Sequence, residues 1–138
     1  MGRAVEAFLP MVPPKVTHNA LEIHKGRGGR VSIGKSSELR EAEVSLWTRA
    51  VKVAPSEPLQ GALRLQIRFC WPCGARHAPG EPMCDKPDAD NLVKTFQDVL
   101  ARAKIITDDK DVVDLSVAKA WADPAGIWFR VEEIGGRR

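Results

Sequence analysis

The residues in this sequence best suited to chemistry are carboxylates. The stretch Lys86-Pro87-Asp88-Ala89-Asp90-Asn91-Leu92-Val93-Lys94 sets two aspartates two positions apart and a lysine four positions after the second. Pro87 and Asp88 suit a helix start, where the Asp88 carboxylate can cap backbone N–H groups. At about 100° per residue, Leu92, Phe96, Val99 and Ala103 fall on one face, flanked by Val93 and Leu100. Asp90, Asn91, Lys94 and Asp98 fall on the other. A second acidic cluster, Asp108-Asp109 with Asp111 and Asp114 nearby, lies between Ile105-Ile106 and Val112-Val113. This pattern predicts a tight turn between helix and strand. Carboxylates converging from the two segments would suit a hard cation, Mg²⁺ or Mn²⁺, which prefers oxygen donors. Such a site activates water and orients a phosphodiester, and Lys94 would add a positive charge beside the phosphate. The plainer alternative is a helix cap at Asp88, a surface ion pair of Asp90 with Lys94, and a polar turn at Asp108-Asp109.

Two further groups could carry chemistry. Cys70, Cys73, His77 and Cys84 supply three sulfurs and an imidazole, the donor types of a structural Zn²⁺ site. Their spacing matches no standard ligand pattern, and cysteine is also a common small buried hydrophobe. Lys15, Lys25, Arg27, Arg30 and Lys35 lie in a stretch whose only acid is Glu22. These residues, with Lys86, are candidate phosphate contacts, and His18 and Asn19 are candidate DNA-side residues beside them. The alternative is a solvated basic loop. Trp47, Trp71, Trp121 and Trp128 could stack on bases, although Trp71 and Trp121 sit in apolar strand patterns that point to a core or an interface.

These residues must be positioned by a small fold. The chain has 138 residues, 43% of them hydrophobic and 28% charged, which fits one compact core. Net charge is only +3, so the distribution of charge says more than its total. Val5 to Met11 reads as a strand ending at Val12-Pro13-Pro14. Leu21 to Ile23 and Val31 to Ile33 read as two short strands around a basic tip, Gly26-Arg27-Gly28-Gly29. Ser36 or Ser37 can cap a helix whose apolar positions are Leu39, Ala42, Leu46, Ala50 and Val53. Leu63, Leu65, Ile67, Phe69 and Trp71 alternate with Arg64, Gln66, Arg68 and Cys70, which predicts a strand with one buried and one polar face. A loop from Pro72 to Pro87 precedes the acidic helix, about Asp88 to Ala103. Val112 to Trp121 and Ile127 to Ile134 close the chain as two strands. Strands and helices mix without strict βαβ alternation, so the class is α+β: a single domain, a small mixed sheet and two main helices. No apolar stretch is long enough to span a membrane, and Met1 to Phe8 has no signal-like apolar region, so an intracellular protein is expected. Three cysteines in that setting argue against a disulfide framework.

At the acidic stretch the sequence resembles the RusA-like Holliday junction resolvases, especially forms carried by phages and prophages. The family's mark is a Lys/Arg-Pro-Asp-x-Asp-Asn-Leu-x-Lys helix start, then an Asp-Asp turn and a short hydrophobic strand. Here these are Lys86 to Lys94, Asp108-Asp109 and Val112-Val113. Phe8-Leu9-Pro10 to Pro14 with Thr17-His18-Asn19 is similar to the family's N-terminal strand and loop. Lys119-Ala120-Trp121 and Pro124-Ala125-Gly126-Ile127 are similar to its last hairpin. The resemblance implies a RusA-like domain over residues 1–134, and Gly135-Gly136-Arg137-Arg138 reads as a disordered tail. It implies Asp88, Asp90 and Asp109 as catalytic metal ligands, Lys94 as catalytic lysine, and Asn91, Asp98 and Asp108 in support. It also implies a homodimer that uses Mg²⁺ or Mn²⁺ to place paired nicks in four-way junction DNA during recombination and repair, in the bacterial cytoplasm. Two departures stand out: Thr107 occupies a position where bulky aromatics are common, and the Cys/His loop is not a family feature. The rival readings are a junction-binding protein without cleavage and a scaffold with an exposed acidic patch.

Overall fold

The computed structural model describes residues 2–16 and 21–135. His18 and Asn19, and the tail from 136 onward, lie outside the described residues. In chain order the elements are β1 (Ala4–Pro10), β2 (Leu21–Lys25), β3 (Val31–Lys35), α1 (Ser37–Ala50), β4 (Ala62–Trp71), β5 (Glu81–Pro82), α2 (Ala89–Arg102), β6 (Val112–Trp121) and β7 (Gly126–Gly135). Five strands form one sheet in the order β1-β7-β4-β6-β5, and β2 with β3 forms a separate antiparallel ribbon. The mixed sheet and two helices are the α+β architecture expected from the sequence.

One connection escaped that expectation. β4 and β6 pair in parallel, with Leu65 opposite Leu115 and Ile67 opposite Val117. α2 lies between them in the chain, because parallel neighbours need a long crossover. β7 then runs antiparallel to both β4 and β1. It ends at Gly135, which pairs with Ala62, one residue past the expected strand end. The short β5, also unforeseen, pairs only through Glu81 with Trp121 and Pro82 with Ala120.

The alternation in β4 explains the core. Leu63, Leu65, Ile67, Phe69 and Trp71 are all buried and meet Leu92, Val93, Phe96, Val99 and Leu100 of α2. Phe96 sits edge-on to both Phe69 and Phe129, at 5.9 and 5.5 Å between ring centres. The apolar stripe of α2 is therefore the one its periodicity indicated. α1 starts as expected: Ser36 Oγ accepts from the Leu39 N–H at 3.1 Å. Its inner face holds Leu39, Leu46 and Ala50, and also the charged Glu43. Glu43 is buried because Lys35 Nζ donates to both its oxygens, at 3.0 and 2.9 Å, and Arg102 donates at 3.3 Å.

Candidate functional site

A cleft of about 560 Å³ opens between α2 and β6. α2 contributes Ala89, Asp90, Val93, Lys94 and Gln97, and β6 contributes Leu115 and Val117. Asp109, in the single helical turn that precedes β6, completes the lining. The geometry follows from the sequence period. Burying Leu92 and Phe96 turns Asp90, Lys94 and Asp98 to the side of α2 that faces away from the core, in one row at four-residue spacing.

Asp109 is held from behind by buried side chains. Ile105 and Ile106 are fully buried, and Ile106 forms an isolated parallel bridge with Leu59. The Leu59 N–H donates to the Ile105 carbonyl at 2.9 Å, and the Thr107 N–H donates to the Leu59 carbonyl at 3.1 Å. Thr107, the departure from the family pattern, donates its hydroxyl to Asp111 Oδ2 at 3.0 Å. It ties the turn through polar contacts where an aromatic would pack. Asp108 caps that turn, its Oδ1 accepting from the Lys110 N–H at 3.1 Å.

The Asp109 carboxyl is pushed above its ordinary range. The first cause is a side-chain hydrogen bond with Asp108, followed by burial and the charges of Asp108 and Asp98. The Lys110 backbone N–H opposes the shift. Crowded carboxylates favour a bound proton, and a cation can relieve the same repulsion.

The predicted residues are not all brought together. Asp90, Lys94 and Asp109 share the cleft, with Asp98 and Asp108 next to Asp109. Asp88 does not line it. Among the described residues, no three acidic, histidine or cysteine side chains lie close enough to share one metal ion. The reason is the length of the helix: Asp90 and Asp98 are two turns, about 12 Å, apart along its axis. Asp88 stands at the helix start, where its carbonyl accepts from the Leu92 N–H at 3.1 Å. Its exposed carboxylate makes no capping bond, contrary to the expectation, and stays uncommitted. Asn91 is half-buried, and its carbonyl accepts from Thr95 Oγ1 at 3.3 Å.

The cysteine–histidine group does not form a site. Cys70 and Cys73 are buried and Cys84 is exposed. Burial is the first cause of a raised thiol pKa at both Cys70 and Cys73, which opposes the thiolate that zinc requires. Cys70 was expected on a polar strand face but is packed inside. His77 lies flat on Trp121, with ring centres 3.9 Å apart, and bonds Glu81 through Nδ1.

The basic residues also divide. Lys15, Arg30 and Lys86 are exposed, as phosphate contacts must be. Lys25 and Arg27 lie on the β2–β3 ribbon and its tip. Lys35, expected at DNA, is engaged with Glu43, because that buried carboxylate needs a cation. One important residue had no role in the sequence reading. Lys119 Nζ donates to the carbonyls of Asp85 and Pro87, at 2.7 and 2.8 Å, and so fixes the loop that leads into Asp88 and α2. Its place facing the helix side of β6 follows from its register with Phe69, which only the parallel pairing reveals.

Comparison with known proteins completes these observations. The family model for endodeoxyribonuclease RusA matches residues 11–132, most of the chain and all of the cleft. No curated protein matches the sequence significantly.

Proposed function

Because the chain belongs to the RusA family of endodeoxyribonucleases, which are Holliday junction resolvases, we propose that it cuts four-way DNA junctions by metal-dependent paired nicking, as a homodimer, in recombination and repair. The observation that carries this reading is the shared cleft of Asp90, Lys94 and Asp109.

The donor set fits a hard cation. Mg²⁺ typically takes one or two carboxylates and fills its remaining positions with water and substrate phosphate. Asp90 and Asp109 would supply those carboxylates, Asp98 and Asp108 would back Asp109, and the uncommitted Asp88 stands at the same end of α2 as Asp90. Bound there, Mg²⁺ or Mn²⁺ supplies an activated water and offsets charge on the phosphodiester. Lys94, exposed one helical turn after Asp90, orients the scissile phosphate and balances the charge that builds on its oxygens. Leu115 and Val117 give the cleft an apolar floor.

Paired nicks need two sites at a fixed separation, and a two-fold homodimer supplies them. β6 supports this arrangement. Among the described residues its outer edge has no strand partner from Val112 to Ala118. Val113 and Leu115 are 65% and 46% exposed along it. Such an edge is a template for pairing with another chain, and antiparallel pairing of β6 with its own copy is two-fold symmetric. Among the described residues no helix is long and apolar enough to cross a membrane. The proposed place of action is the cytoplasm, where bacterial or phage DNA recombines.

Substitution tests the assignment of the site. Asp90→Asn and Asp109→Asn keep side-chain size and remove the charge. Each should abolish nicking and leave junction binding intact. Wild-type nicking by either variant would remove that residue from the catalytic site. Asp88→Asn is expected to behave likewise, and retained activity there would confine the site to the cleft.

A further inference from the structure

A second groove, of about 390 Å³, lies where α1 meets the end of α2, lined by Lys35, Arg40, Glu43, Val44, Trp47 and Arg102. We propose that this groove is a subsite for a DNA arm, with backbone phosphate held by Arg40 and Arg102 and a nucleotide resting on Trp47. The inference rests on the reading of the chain as a junction nuclease and adds a site outside the catalytic cleft.

Charge is the first argument. Among the described residues that line the groove, three are cations and one is a carboxylate, which lies beneath them. Glu43 is only 7% exposed and accepts from Lys35 and Arg102. The solvent side of the groove is therefore positive. Arg40 is exposed, and its side chain has no carboxylate partner among the described residues. Arg102, although bonded to Glu43, keeps 55% of its side chain exposed.

Trp47 is the second. It is 42% exposed, whereas Trp71 is 1% exposed and donates its indole N–H to the Pro13 carbonyl. Val44, one turn earlier on α1, is 62% exposed and widens the apolar surface beside the ring. A tryptophan flanked by arginines combines a stacking platform with phosphate contacts, the pairing used for nucleic-acid strands. A protein partner of similar size would more often meet an apolar centre depleted of charge, whereas here Arg40, Arg102 and Lys35 line the same groove as Trp47.

Position is the third. Arg102 lies eight residues beyond Lys94 on α2, turned toward α1. It stands about 12 Å along the axis from Lys94. A DNA strand rises about 3.4 Å per nucleotide, so a strand whose phosphate sits at Lys94 reaches Arg102 about three or four nucleotides away. The catalytic cleft and this groove are thus both lined from α2, the one near its start and the other at its end.

The experiment measures junction affinity in an Asp90→Asn background, which binds without cutting, as a function of salt. Arg40→Ala and Trp47→Ala are compared with the unsubstituted groove. Arg40→Ala should weaken binding and lower the slope of log K against log salt by about 0.9, the contribution of one phosphate. Trp47→Ala should weaken binding about tenfold, within the range for loss of one stacked base, while Trp47→Phe largely restores it. Unchanged affinity and slope in both, in a protein that still binds and cuts junctions, would overturn the subsite and leave the nuclease reading standing. Failure of the unsubstituted protein to bind or cut junctions would instead overturn the nuclease reading, and this inference with it.

Discussion

Replacing Lys119 by methionine keeps an apolar stem and removes two hydrogen bonds to the loop before α2. A hydrogen bond from a charged donor contributes about 1.5–3 kcal/mol net. The bond to the Asp85 carbonyl is solvent-exposed, so water replaces it at little cost. The bond to the Pro87 carbonyl is partly buried and is the one that counts. The expected loss of stability is therefore about 1.5–3 kcal/mol, roughly one such bond. The effect on rate should be larger than on affinity, because Pro87 leads directly into Asp88 and the wall that carries Asp90. A displacement near 1 Å at a reacting centre costs about 10² in rate. Urea denaturation gives the first quantity and single-turnover nicking of a four-way junction the second. Lys119→Arg, which retains a donor, should recover part of both. A Lys119→Met protein with wild-type stability and wild-type turnover would refute the positioning role.

Lys94→Ala should lower the nicking rate by about 10²–10³, the usual value of one contact to developing charge, with unchanged urea stability because the side chain is exposed; an unchanged rate would make Lys94 a surface residue only. Val113→Lys should blunt the open edge of β6 and shift the protein to monomer in light scattering, with single nicks replacing paired ones; a stable dimer would place the interface elsewhere. Glu133 accepts from the backbone N–H groups of Arg3 and Gln60, at 2.9 and 3.0 Å, and these bonds, with the Arg3 guanidinium, hold its carboxyl below the ordinary range. A depressed folded pKa gives stability that is present above the unfolded value, about 4.3, and lost as pH falls through the folded one. Glu133→Gln should therefore lower stability at neutral pH and flatten its acid limb, and an unaltered limb in denaturation curves would assign that limb to other carboxylates.

Much of the site was legible because period and chemistry coincide in α2. The spacing that buries Leu92, Phe96 and Val99 also turns Asp90, Lys94 and Asp98 outward, so one pattern gave both the core and the polar row of the candidate site. The Asp108-Asp109 turn was legible from the isoleucines before it and the valines after it. The parallel pairing of β4 with β6 was not, since the strands are separated by a long loop and a helix and nothing local encodes their direction. Lys119 depended on that pairing and was missed with it. Cys70 alternates with buried residues in β4, yet tertiary packing covers it, which periodicity along one strand does not record. Lys35 reads as one of a basic series, and only its proximity to a buried Glu43 on the next helix gives it a structural role. The convergence of Asp88 with Asp109 was a matter of three-dimensional reach. Asp88, one residue before α2, is exposed and does not line the cleft that Asp90 and Asp109 share, and spacing alone does not record that.

The most direct measurement is cleavage of a labelled four-way junction beside a matched duplex, with Mg²⁺, Mn²⁺ or chelator. The account predicts paired nicks in the junction with either cation, none with chelator, and little cutting of the duplex. Equal cutting of both substrates, or junction nicking that persists in chelator, would contradict it.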